Sequence, residues 1–215
     1  MKYRLLILLL GLAAVAAGGA EPDLTSPATL IRDAASDPAW KDLFARLAPG
    51  KNRLSHFEER RYFSFRRTPI VLTGEIRISP DRGLSLHYLT PEPRIVIVDR
   101  QGLLLRDARG ERALSADSQI QAITALFDVL RFDLPQLQKN FELHGWQEAG
   151  VWTLALVPRH PPLAGFLSSL VVSGEEARPD KIELIESGGQ RIEILIGETR
   201  ENVVFTPGEL ARYFR

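Results

Sequence analysis

The side chains able to do chemistry are few and scattered. Four histidines stand at His56, His87, His144 and His160. Metal sites need such ligands clustered at spacings like i, i+4, and no two of these are so placed. They read as lone surface or rim histidines. Ser168-Ser169 sits in "GFLSSLVVSG", which lacks the Gly-x-Ser-x-Gly elbow of a serine hydrolase. Glu58-Glu59 and Glu175-Glu176 are paired carboxylates in sequence. Neighbours on a strand point to opposite faces, so neither pair makes a general acid and base. There is no Gly-rich loop to cradle a phosphate. Arg60-Arg61 and Arg66-Arg67 are basic doublets without flanking aromatic ladders. They read as a solvated face, with a docking surface as the other reading. No cysteine occurs, which excludes thiol chemistry, disulfides and a lipidated cysteine anchor. The expectation is no catalytic residue, no metal and no cofactor.

The elements around these residues say more. Lys2 and Arg4, the apolar run Leu5 to Ala17, and Gly18-Gly19-Ala20 have the layout of a cleaved signal peptide over residues 1–20. The run is short for a bilayer span. Residues 21–215 are then expected to form one soluble, exported domain. Lys plus Arg equal Asp plus Glu at 27 each, so no net field draws nucleic acid or an anionic membrane.

Ser26-Pro27 and Asp37-Pro38 each combine a cap with an early proline and predict two helices. Trp40, Leu43, Phe44 and Leu47 share one face of the second. From Leu54 the period becomes two. Phe57, Glu59, Arg61 and Phe63 share one side of a mixed strand. Ile76 and Ile78, then Leu84, Leu86 and Tyr88, lie on the apolar sides of the next two. A helical insertion follows, with Ile120, Ile123, Phe127 and Leu130 on one stripe, and a short helix starts near Asp133. Strands return with Trp152, Leu154 and Leu156, then Ile182 and Leu184, then Ile192, Ile194 and Ile196 on their apolar sides. Thr206-Pro207-Gly208-Glu209 is a capping box opening a terminal helix. The pattern predicts about six strands, helices, then about five strands, joined by short turns. Most strands should have one covered face and one wet face.

So much apolar strand must be buried. It either packs as ordinary core or surrounds a space whose mouth the helices plug. In the second case the thirteen strand residues just named line the cavity, and Ile120, Ile123, Phe127 and Leu130 belong to a lid.

"LSHFEERRYFSFRRTPIVLTGEIRIS", "LHYLTPEPRIVIVDRQGLLL", "FELHGWQEAGVWTLALVPR", "LVVSG" and "KIELIESGGQRIEILI" occur in an order that resembles the periplasmic outer-membrane lipoprotein carrier, or LolA-like, family. Thr73-Gly74 opens a strand, Pro91 follows an aromatic strand, and Asp99 to Gly102 forms the short turn. The resemblance covers about residues 25–200 and implies an α+β fold: an incomplete antiparallel β-barrel closed by a helical lid. It implies a non-enzymatic, monomeric periplasmic carrier of acylated cargo, lipoprotein or glycolipid. An inner-membrane donor, an outer-membrane acceptor and no nucleic acid would be its partners. In the family an arginine ties the lid, and that position falls here on Pro80, with Arg82 two residues on. The alternative is a periplasmic sensor or protein-interaction module on the same half-barrel; an acyl hydrolase is a third reading.

Overall fold

The computed structural model describes residues 24, 26–48, 50–114 and 127–215. Its frame is one eleven-stranded antiparallel sheet that curves without closing. The first meander is β1 (Arg53–Tyr62), β2 (Ile70–Ser79), β3 (Gly83–Thr90), β4 (Arg94–Asp99), β5 (Gly102–Asp107) and β6 (Gly110–Ala113). The second is β7 (Phe141–Glu148), β8 (Val151–Pro158), β9 (Leu167–Glu175), β10 (Arg178–Glu186) and β11 (Arg191–Glu201). Within each, neighbours in sequence are neighbours in space. The seam is the antiparallel pair β1–β11, with Phe57 opposite Ile196 and Glu59 opposite Ile194. The barrel stays open between β6 and β7, which are the two edges. β6 is short, exposed and charged, a form that discourages another strand from pairing. The β7 edge is met by the preceding segment: Leu30 bridges His144, and the Ile31 amide donates to the Leu143 carbonyl at 2.8 Å.

Short α-helices flank and connect the strands; those wholly within the described residues are α1 (Pro38–Leu47), α2 (Leu134–Asn140), α3 (Leu163–Phe166) and α4 (Pro207–Tyr213). Asp37 caps α1 by accepting from the Ala39 amide at 3.0 Å, and Asp133 caps α2. α1 turns Trp40, Leu43, Phe44 and Leu47 onto the concave side of the sheet. The Ser26-Pro27 signal yields only a three-residue 3-10 turn, Pro27–Thr29. The chain there is drawn into the bridge at Leu30 instead of continuing as a helix. Residues 127–131 are helical, whereas Ile120 and Ile123 lie outside the described residues.

The expectation of a wet outer face fails for β2 to β4. The terminal helix crosses the convex side and builds a second core there: Ile95, Ile97 and Leu104 under Phe205, Tyr213 and Phe214. β4 is therefore covered on both faces, with Val96 and Val98 turned into the main core. That is why its sequence alternates nothing. Ser85, His87 and Arg77 on the same outer face are buried too. The Arg77 guanidinium lies 3.7 Å above the Tyr213 ring and bonds Glu75 at 2.8 Å. The His87 ring packs on Tyr213 with centroids 5.2 Å apart. His144 is also buried, held by Glu142 and by Thr29. These two histidines are packed side chains, not surface ones.

α4 is clasped at both ends. Its capping box at Thr206 and Glu209 is complete. Arg106 Nη1 donates to the carbonyls of Ala211, Arg212 and Phe214 at 2.9, 2.7 and 3.1 Å, and Arg215 grips Asp99 through two bonds of 2.6 and 2.7 Å. The Arg215 bonds hold the Asp99 carboxyl below its ordinary 3.8, against the upward pull of burial. Hydrogen bonds from Thr206, backbone first, do the same to Glu209. A depressed carboxyl stabilises the fold above its unfolded value and loses that contribution as pH falls through the folded value. The clasp should hold at neutral pH and loosen as pH falls below the ordinary carboxylate range. Amide exchange of residues 203–214 should rise in that window. Exchange that is flat down to acid unfolding would refute the assignment.

Candidate functional site

Strand alternation sends every second side chain to the concave face. Eleven of the thirteen expected wall residues are buried in one cluster there: Ile76, Ile78, Leu84, Leu86, Tyr88, Trp152, Leu154, Leu156, Ile182, Leu184 and Ile194. Ile192 and Ile196 are partly buried against it. Gly74 makes room in this wall. A Cβ at 74 would lie 2.3 Å from the His87 carbonyl and 2.6 Å from the Phe57 ring. Its absence lets Phe57 meet Tyr88 edge-on, with centroids 5.3 Å apart.

Helices fill the middle of the concavity. Phe44 of α1 stacks edge-on to Phe132, and Phe132 to Trp152, at 6.4 and 6.3 Å. Phe127 and Leu130, expected in a lid, are buried in the same cluster. Pro80 and Arg82 border a cleft beside Phe127 and Arg131. Leu84, Trp152, Leu154, Leu156 and Ile182 are buried in the cluster and line neither of two gaps that other wall residues border.

The first gap, about 130 Å³, lies among Leu86, Tyr88, Leu184, Ile192 and Ile194, with Phe63 and Phe166 at its rim. The second, about 170 Å³, lies towards the opposite end among Ile76, Ile78, Leu130, Phe132 and Ile196. Ile194 and Ile196 are two residues apart on β11, or about 7 Å along the strand. The two linings meet along β11, where Ile194 borders the first gap and Ile196 the second. Each alone is below the ~300 Å³ that small-molecule pockets usually reach. A long apolar ligand needs the helical filling to shift.

One polar group interrupts the wall. Glu59 is 3% exposed on the concave side of β1. It ion-pairs with Arg61 Nε and accepts from the Tyr88 hydroxyl at 2.8 Å. Burial, and then the Glu59 charge, push the Tyr88 phenol above its ordinary range. The Arg94 guanidinium lies over that ring, 4.1 Å from its centroid. Glu186 lines the same gap, and burial raises its carboxyl. The Arg60-Arg61 doublet is thus no basic patch. Alternation puts Arg60 outside, 2.7 Å from Glu58, and Arg61 inside. The placement of Glu59 and Arg61 was legible from their parity with Phe57 and Phe63; that they meet Tyr88 across two strands was not.

A family model of the outer membrane lipoprotein carrier protein LolA matches residues 70–210. The chain belongs to the LolA family. Among solved structures, this LolA-family chain is similar to a LolA superfamily protein of Nitrosomonas europaea. The identity is 7% and the TM-score 0.49, over 79% of this chain and 96% of that one. It is similar also to the Pseudomonas aeruginosa MucA/MucB complex, at 18% identity and TM-score 0.47, over 80% of this chain and 59% of that one. The LolA-family chain thus spans less than two thirds of that relative. No curated protein matches it. Among the described residues no helix is long and apolar enough to cross a membrane.

Proposed function

We propose that this protein is a non-enzymatic periplasmic carrier. It takes the acyl chains of a lipidated cargo, lipoprotein or glycolipid, against the concave face of its half-barrel and moves them towards the outer membrane. The observation that carries this reading is the gapped apolar wall, with two cavities lined by its concave residues and set along β11. The energetics suit transit. Water exposure costs an acyl chain about 0.8 kcal/mol per CH₂, and displacing the filling from the sheet offsets part of that gain. Binding is then favourable yet reversible, as delivery requires. Phe127 and Leu130 belong to the element that moves.

Titration with a neutral, polarity-sensitive fluorescent acyl probe tests the proposal. Saturable binding with a blue-shifted emission is expected. A wild-type protein that never binds the probe, purified with no lipid on it, makes the wall mere packing and favours the sensor or interaction module. The signal-peptide reading makes a separate prediction. Protein recovered from its own cell should begin near Ala20 or Glu21, and N-terminal sequencing that finds Met1 intact in membranes overturns it.

A further inference from the structure

The charged pair on the wall has no evident use in packing. Eleven of the thirteen wall residues are purely apolar; Trp152 spends its indole N–H on the Glu176 carbonyl, and Tyr88 turns its hydroxyl to Glu59. A buried ion pair seldom stabilises a fold more than well-packed apolar side chains do. Here the pair borders an open gap, and Arg61 stands one residue from the end of β1. Its side chain is 30% exposed, against 4% for Glu59. Its Nε donates to Glu59, and the Tyr88 oxygen and the Glu186 carboxyl lie close enough to feel its charge. Glu59 therefore fixes the guanidinium at the border of the gap, with part of its surface open to a further acceptor.

We propose that Arg61, held by Glu59 and Tyr88, is the head-group site for an acyl amphiphile carrying one anionic group, a carboxylate or a phosphate. The proposal rests on the carrier reading and narrows its cargo. A fork of parallel N–H donors suits both anions and gains strength out of water. Leu86, Leu184, Ile192 and Ile194 line the same gap and receive the first methylenes of the tail. The head is thus at the strand ends and the tail points along β11 towards the second cavity. Glu186 borders the same gap, its carboxyl raised by burial against the opposing pull of the Arg61 charge. A cargo whose acyl chains hang from a neutral ester or amide leaves Arg61 without its second partner and binds more weakly.

The test uses the full mature chain and three ligands of equal tail: hexadecanoate, hexadecyl phosphate and hexadecanol. Each displaces a neutral fluorescent acyl probe. Wild-type protein is expected to bind at least one of the two anions about tenfold more tightly than the alcohol, and the tighter anion identifies the head as carboxylate or phosphate. Removing Arg61 alone strands a buried carboxylate, so the variant is the double Glu59→Gln, Arg61→Gln, with Arg61→Lys beside it. The double variant should lose the anion preference while its affinity for hexadecanol holds; Arg61→Lys should lose part of it. Equal binding of acid, phosphate and alcohol by wild type overturns the head-group site and leaves the carrier reading standing, as does a preference that survives in the double variant. Failure of all three ligands overturns both.

Discussion

Arginine in place of Leu86 is expected to leave a folded half-barrel that no longer takes up an acyl probe. Leu86 is 2% exposed, yet its side chain borders the smaller of the two gaps. Glu59 and Glu186 border that gap too, so an added guanidinium has both space and anionic partners. The same guanidinium occupies the path of the tail. Excluding three methylenes costs about 2.4 kcal/mol, roughly fifty-fold in affinity. A solid core at this position would behave differently: an unpaired charge there unfolds the protein at a cost of several kcal/mol. Circular dichroism with probe titration separates the outcomes. A variant that melts at room temperature assigns Leu86 to packing alone.

The second large effect is expected from Trp40→Ala. Trp40 is the peg by which α1 docks on the concave face, and Gly145 on β7 is its socket. A Cβ at 145 would fall 2.2 and 2.3 Å from the Trp40 ring carbons Cζ2 and Cη2 and 2.7 Å from Ile31. Removing a buried tryptophan costs about 3–5 kcal/mol, or roughly 6–20 °C in Tm for a chain of this size. Gly145→Ala should act in the same direction by about 1–3 kcal/mol, because it pushes the peg out. Where α1 lies in the way of cargo, both variants bind probe more tightly below their melting points, since less filling has to be displaced. Unchanged melting of both would show that α1 is not seated as described.

Much of this was legible in the sequence. Period-two alternation named the concave residues of β2, β3, β8, β10 and β11, because a strand carries its facing rule in its own parity. Caps and early prolines located α1 and α4 for an equally local reason, though the same signal at Ser26-Pro27 gave only a three-residue turn. What escaped depends on elements distant in sequence. The second core needs residues 203–214 to return across β2 to β4, and no local pattern records where a terminal helix lands. The run Ile95-Val96-Ile97-Val98 was the available signal, since a strand apolar at every position asks for cover on both faces. His87 and His144 were misplaced for the same reason: other segments bury them. The polar cluster was half legible. Parity placed Glu59 and Arg61 inside, but Tyr88 reaches them only because β2 lies between β1 and β3 in the sheet.

The seam between β1 and β11 has a consequence for how the protein is made. Ser55 pairs with Thr199, so the middle of the sheet waits for nearly the last strand to be synthesised. Closing a loop of that length costs on the order of 4 kcal/mol in chain entropy before the pairing returns anything. Chains dominated by such distant contacts fold slowly. Until the seam shuts, β1 is a long unpaired edge beside an uncovered apolar face, the combination most prone to joining a neighbouring chain. The period of greatest aggregation risk ends with the arrival of β11.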